Sequence, residues 1–283
     1  MKILSTIAEV RRTREGDHMR GGRVGFVPTM GALHEGHLSL VRAAKAQCNT
    51  VVVSLFVNPT QFGPTEDLAR YPRPFERDRD LLEKEGVAIL FAPSVEEMYP
   101  AGELTRVNVE GLSEKLDGRS RPGHFRGVMT IVSKLFHIIE PDVAFFGQKD
   151  AAQAAVIRRM VRDLNFPVEI VICPIVREPD GLAMSSRNAY LNHDERQSAL
   201  VLHRSLMRVE DEFRAGEKSV GTLIASAAEV IAQEPRVRLD YFEIVDPDTL
   251  DPVQQLEHPA LAAVAAYVGT TRLIDNLILT PRK

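Results

Sequence analysis

Val24-Gly25-Phe26-Val27-Pro28-Thr29-Met30-Gly31-Ala32-Leu33-His34-Glu35-Gly36-His37 is the stretch from which the rest of the chain can be read. Its apolar start, 24–28, predicts a buried strand. Over 37–48 the apolar residues Leu38, Val41, Ala44 and Cys48 recur at helical spacing, with Arg42 and Lys45 on another face. A longer β-branched run, 50–57, follows and stops at Asn58-Pro59, so the order is strand, helix, strand. The alternation continues downstream. A charged amphipathic helix is predicted over 75–85, a strand over 87–91, an apolar helix over 128–139, a strand over 142–146, a helix over 151–164 and a strand over 168–173. Short connections between alternating elements predict an α/β fold built on a doubly wound parallel sheet.

Punctuation thickens at Pro174, Pro179 and Asp180-Gly181, which places a domain boundary after residue 176. The second part, 177–283, reads as a smaller α+β module. It has helices over 194–215 and 219–233 and strands over 239–245, 261–268 and 273–277. Residues 1–176 hold 23 basic and 22 acidic groups, and residues 177–283 hold 12 and 17. An acidic second module within a chain of net charge −4 argues against nucleic acid as a partner. No run approaches the roughly 18 apolar residues of a membrane span, and the first residues lack a signal-peptide block, so no membrane association is expected. Cys48 and Cys173 stand alone among 283 residues, which fits a cytoplasmic location better than a disulfide scaffold.

Four segments could carry chemistry. The turn 28–37 leaves a strand and enters a helix, the place where open α/β sheets bind ligands and where helix N–H groups favour phosphate. Gly31 and Gly36 permit close backbone approach, and His34 and His37 could bond phosphate oxygens or offset charge on a leaving pyrophosphate. Two surface histidines on a turn is the plain alternative. The spacing of three between them does not suit a zinc protease, and the absence of G-x-G-x-x-G disfavours a dehydrogenase. Met184-Ser185-Ser186-Arg187-Asn188 could close on a triphosphate, or could simply cap the helix that follows. Phe146-Gly147-Gln148-Lys149-Asp150 offers a lysine at a strand end, or a capped turn. In Asn58-Pro59-Thr60-Gln61, the neutral amides suit a substrate bearing hydroxyl and carboxylate oxygens, although a turn explains Asn58-Pro59 equally well, and Gln153 could face the same pocket or be a solvated helix position. Arg119 to Gly127 is a basic loop that fits anion binding or a solvated loop, with His124 suited to a structural role more than a catalytic one. Asp78, in Arg77-Asp78-Arg79-Asp80, could help hold Mg²⁺ or could lie on an exposed helix face.

His34-Glu35-Gly36-His37 together with Met184-Ser185-Ser186-Arg187 matches the paired ATP motifs of the nucleotidyltransferase and class I synthetase superfamily, with Arg187 where a lysine stands in K-M-S-K-S. Six segments in order, F-V-P-T-M-G-A-L-H-E-G-H, F-V-N-P-T-Q-F-G, D-L-A-R-Y-P-R, R-P-G-H-F-R-G-V, F-F-G-Q-K-D and M-S-S-R-N-A-Y-L, resemble the pantothenate synthetase (pantoate–β-alanine ligase) family over nearly the whole chain. A plain nucleotidyltransferase shares the ATP motifs but gives no reason for Asn58, Gln61 and Gln153 together. A tRNA-binding synthetase fragment conflicts with the acidic second module.

The resemblance implies ATP-dependent joining of pantoate to β-alanine through a pantoyl-adenylate, with Mg²⁺. It also implies a Rossmann-like domain, a smaller C-terminal lid and a homodimer. Carried over by position, Met30, Gly31, Ala32, Leu33, His34, Glu35, Gly36 and His37 would line the ATP site, with His37 as proton donor. Gly147, Gln148, Lys149, Asp150, Val176, Met184, Ser185, Ser186 and Arg187 would complete it, with Lys149 and Arg187 catalytic alongside His34 and His37. Gln61 and Gln153 would hold pantoate, Gln61 would lie near β-alanine, and Asn58 and Arg121 would support the pocket. Pro74 departs from the expected Thr, which bears on the start of the helix carrying Asp78.

Overall fold

The computed structural model describes residues 1–15 and 22–281. By compactness they divide into two units. One comprises residues 1–113, 121–147 and 156–174, and the other residues 114–120, 148–155 and 175–283.

The first unit holds a six-stranded sheet in the order β1-β4-β3-β2-β5-β6, with every pairing parallel. Its strands are β1 (Lys2–Leu4), β2 (Val24–Thr29), β3 (Thr50–Leu55), β4 (Ile89–Phe91), β5 (Val143–Gly147) and β6 (Glu169–Cys173). The connecting helices are α1 (Ile7–Glu15), α2 (Glu35–Gln47), α3 (Phe75–Lys84), the single turn α4 (Val95–Met98) and, after the short α5 (Asp117–Ser120) of the other unit, α6 (His124–Ile139). The helix α7 (Ala151–Asp163) links β5 to β6, and the boundary between the units passes through it after Ala155. The sequence predicts this α/β sheet, and the structure has it. Strand order reverses at β2, which pairs with β3 on one side and β5 on the other. The crevice of a doubly wound sheet opens at that reversal, beyond the carboxyl ends of the strands.

The buried faces explain the sheet. Val27, Val51, Val53, Leu90, Val143 and Phe145 lie in one cluster with Leu40, Val41 and Ala44 of α2 and Leu82 of α3. Each large side chain removed from water there contributes roughly 1.5–3 kcal/mol before entropy is counted. Two differences from the sequence reading have local causes. β1 and α1 carry no strong periodic signal, β1 having only three residues. α6 starts four residues earlier than predicted, because Gly123 caps it at φ 83°, so His124 lies in its first turn and not in a loop.

The second unit has a three-stranded antiparallel sheet, β7 (Val237–Val245), β8 (Ala260–Val268) and β9 (Thr271–Leu279) in that order. The helices α8 (His193–Arg214) and α9 (Val220–Ala232) pack on it through Leu202, Leu206, Val209, Leu223 and Ala227. Ala260 to Ala266 of β8 is almost wholly small or β-branched, and that lets the helices lie close to the sheet. Among the described residues no helix is long and apolar enough to cross a membrane.

Candidate active site

In the first unit the turn after β2 is fixed from below by Asp78 of α3. Its two carboxylate oxygens accept the backbone N–H of Ala32 at 2.6 Å and of Leu33 at 2.9 Å, and the side chain is 1% exposed. The turn needs that support because Gly31 and Ala32 both take positive φ, 83° and 50°. For alanine this conformation costs about 1–2 kcal/mol. A Cβ at Gly31 would sit 3.1 Å from Asp78 Oδ2, so glycine also keeps the carboxylate's space open. Burial pushes the Asp78 carboxyl up, and the two N–H groups pull it back. Pro74, at the N-cap of α3, leaves the helix intact and accepts Asp78 N–H through its carbonyl at 3.0 Å. The residue expected to help hold Mg²⁺ thus spends both oxygens on the turn. No group of three or more His, Cys, Asp or Glu suited to a metal occurs among the described residues. A carboxylate engaged on both oxygens by backbone N–H groups suits an anchor of the turn better than a cation ligand.

The same turn ends in His34, the N-cap of α2. His34 Nδ1 accepts Gly36 N–H at 3.2 Å, and His37 Nδ1 accepts His34 N–H at 3.3 Å, a capping box made of two imidazoles whose ring centroids lie 4.1 Å apart. A nitrogen that accepts an N–H cannot carry a proton, so each neutral ring bears its hydrogen on Nε2. Both histidines therefore offer N–H donors. The N–H groups of Ala32, Leu33, His34 and Gly36 are meanwhile already committed within the protein. Glu35 faces outward and pairs with Arg42, which also pairs with Glu85. Met30 leads into the turn.

Beside it lies the amide pair predicted to meet substrate. Asn58 caps the short 3₁₀ turn Pro59–Gln61 by accepting Thr60 N–H at 3.3 Å. Its Nδ2 donates to the Gly127 carbonyl at 3.2 Å and to Gln61 Oε1 at 3.0 Å. A backbone donor on one side and a backbone acceptor on the other leave Asn58 only one orientation. Gln61 must then turn Oε1 toward Asn58 and present Nε2–H, whose partner is the thioether sulfur of Met30, a weak acceptor. Gln61 thus presents an amide N–H donor beside Met30. Tyr99, which the sequence reading missed, donates its hydroxyl to Asn58 Oδ1 at 2.7 Å. Gly127 is required too, because a Cβ there would lie 2.2 Å from Thr60 O. Arg121 donates to both oxygens of Glu66 at 2.7 Å, and His124 Nδ1 lies 2.8 Å from the Gln61 carbonyl, so both brace this loop. A largely apolar cavity of about 250 Å³ opens next to the turn, lined by Met30, Gly31, Leu55, Phe56, Asp78 and Pro93 among others.

In the second unit, the 3₁₀ turn Gln148–Asp150 follows Gly147, the last residue of β5, and leads into α7. Lys149 Nζ lies 3.6 Å from Asp150 Oδ1, and Gln153 is half-buried in the first turn of α7. Val176 and Met184 are brought together by a Met184 N–H bond to the Val176 carbonyl at 3.0 Å, closing a hairpin over 176–184. Ser185 then caps the 3₁₀ turn Ser186–Tyr190 by accepting Arg187 N–H at 3.3 Å. Asn188 donates to Ala183 O at 3.1 Å and to Glu178 Oε1 at 3.2 Å, which fixes that turn on the hairpin. Two β9 residues absent from the sequence reading touch these segments. Asp275 receives both Nη groups of Arg177, at 2.6 and 2.9 Å. Asn276 donates to the carbonyls of Gln148 and Lys149 at 3.0 and 2.9 Å. The one available signal was two adjacent polar residues inside an otherwise apolar run over 273–279.

The model of the pantoate-beta-alanine ligase family matches residues 2–278. The chain belongs to the pantoate-beta-alanine ligase family. Pantothenate synthetase of Acidobacterium capsulatum is 61% identical over 290 residues, covering 99% of this chain and 97% of that protein. Pantothenate synthetase of Thermotoga neapolitana is 57% identical over 279 residues, 99% and 100% of the two chains. The crystal structure of pantothenate synthetase from Thermus thermophilus superposes with a TM-score of 0.95 at 50% identity, over 99% of this chain and 100% of that one. Pantoate-beta-alanine ligase from Francisella tularensis, complexed with beta-gamma ATP and beta-alanine, matches with a TM-score of 0.79 at 33% identity over 98% and 97% of the chains. Membership in the ligase family thus rests on the whole chain, both sheets included.

Proposed function

We infer that this chain is an ATP-dependent ligase that condenses pantoate with β-alanine to give pantothenate through a pantoyl-adenylate. The observation that carries the reading is the ligase family match across residues 2–278. Pantoate's carboxylate is a poor electrophile, so a carboxylate oxygen first attacks the α-phosphorus of ATP and the bond to pyrophosphate breaks. The β-alanine amine then attacks the acyl carbon, the bond to AMP breaks, and the amine proton is lost. AMP is a good leaving group, and this second step needs no strong base.

The first step brings anions together, and transfer at phosphorus is accelerated by positioning and by charge stabilisation. In this reading the Nε2–H groups of His34 and His37 donate to phosphate oxygens as neutral imidazoles, and Lys149 and Arg187 supply the full positive charge. The turn 30–37, Gly147 to Asp150, Val176 and 184–187 bind ATP. Gln61 donates Nε2–H to pantoate oxygens, Gln153 joins it, and Asn58 and Arg121 hold the loop. The part after residue 176 acts as a lid that keeps water from the mixed anhydride. The same reading places the enzyme in the cytoplasm as a homodimer, which sedimentation at twice the chain's mass would check. ATP–pyrophosphate exchange tests the adenylate. Pantoate must support exchange without β-alanine, and exchange that needs β-alanine would rule the adenylate out.

A further inference from the structure

Asp275 and Asn276 occupy the middle of β9, where Asp275 pairs in register with Val264 of β8 and Asn276 with Ala263. Neighbouring residues of a strand point to opposite faces, and the flanking Leu273, Ile274, Leu277 and Ile278 are apolar. Both polar side chains are nevertheless 3% exposed. A buried carboxylate or amide is tolerated only when its bonds are made.

The bonds made here lead to the segments that carry Lys149 and Arg187. On one side, Asp275 grips the Arg177 guanidinium through two parallel bonds, and Arg177 Nη1 also donates to Gly181 O at 3.0 Å, inside the hairpin that ends at Met184. On the other, Asn276 spends both Nδ2 hydrogens on the Gln148 and Lys149 carbonyls and faces Gln148 Nε2 with Oδ1 at 3.3 Å. Asp275 Oδ1 also accepts Asn276 N–H at 2.7 Å, so the pair is stiffened internally.

We propose that the Asp275-Asn276 dipeptide is the common anchor that positions Lys149 and the Arg187 segment for ATP. This rests on the reading that Lys149 and Arg187 meet the phosphates. The two are positioning residues, acting through the cations they place. Both sets of contacts are long-range, spanning 98 residues from Asp275 to Arg177 and 128 and 127 from Asn276 to Gln148 and Lys149, so β9 adds to each loop a constraint from outside it. Ordering the loops in advance removes entropy that ATP binding would otherwise have to supply.

The experiment is a pair of mutant cycles read by pantoate-dependent ATP–pyrophosphate exchange on the full chain, with hydrogen exchange as a second readout. Asn276→Ala should lower kcat by about tenfold or more, leave the pantoate KM within about twofold, and add less than about twofold in a Lys149→Ala background. Asp275→Asn should behave likewise against Arg187→Ala. Amide protection should fall over 148–151 in the first variant and over 177–188 in the second, with circular dichroism unchanged. Asn276→Asp keeps the shape but sets a carboxylate against two carbonyls, and it should be as impaired as Asn276→Ala. Effects that multiply with those of the cation variants, or protection that does not change, would overturn the anchor. Lost protection with unchanged kcat would instead overturn the ATP-site assignment beneath it.

Discussion

The turn at the end of β2 and the turn at the end of β5 occupy like places in the sheet but are built in opposite ways. The first satisfies itself. Its histidines cap their own helix and Asp78 takes two further amides, so in the proposed reading the donors it brings to ATP are imidazole Nε2–H groups. The second is held by distant chain, through a strand of the second unit that bonds the carbonyls of Gln148 and Lys149 within that same unit. In the proposed reading one turn presents imidazole N–H donors on a frame it bonds itself, and the other presents an ammonium on a backbone bonded by residues far along the sequence. Nucleotide recognition by the first should be insensitive to changes in β9, whereas charge stabilisation should depend on them.

Several changes would break or sharpen that contrast. The largest effect is expected from the cations and donors themselves. Lys149→Ala or His37→Ala should lower exchange kcat by about 10²–10³-fold with the fold intact by circular dichroism; an unchanged rate for either removes it from the site. Replacing His37 by Gln, which also offers an N–H donor, should recover part of that loss if hydrogen bonding and not proton transfer is its role. Asp78→Ala releases the strained turn and should cost about 10²-fold in exchange and lower the melting temperature, with no rescue by excess Mg²⁺. Rescue by Mg²⁺ would restore Asp78 as a metal ligand.

Smaller effects are expected around the amides. Tyr99→Phe deletes one bond to Asn58 and should raise the pantoate KM by about 3–10-fold with kcat and the ATP KM within about twofold. That shift should vanish in a Gln61→Leu background if Tyr99 works through Gln61. The smallest concerns His203, which burial and Arg177 hold below the usual imidazole range against the opposing pull of Asp275 and Glu210. The unfolded chain then binds the proton more readily, so stability is full above the unfolded value of about 6.5 and declines as pH falls toward the lower folded value. Melting temperature followed from pH 7.5 to 5 should drop less in His203→Gln than in the parent chain.

Much of this was legible in the sequence where the information is local. The alternation around 24–57 gives the parallel sheet because burial on both faces demands unbroken apolar strands, and Gly31, His34 and Lys149 sit in turns that announce themselves by composition. What was hidden is held by contacts far along the chain. Asp78 reads as one charge in a charged helix, and only the fold shows it 46 residues away beneath Ala32. Asn276 reads as a polar interruption of a strand, and Gly127 as the last residue of a basic loop, until the backbone of Thr60 is seen against it. The boundary expected after residue 176 follows the thickening of proline and glycine. The compact units instead assign 148–155 to the second unit, in keeping with the bonds from Asn276.

The most direct test of the account is exchange of labelled pyrophosphate into ATP by the full chain, with pantoate present and β-alanine absent. The account predicts rapid exchange that requires pantoate, with AMP accumulating only once β-alanine is added. Exchange without pantoate, or none until β-alanine is supplied, would contradict it.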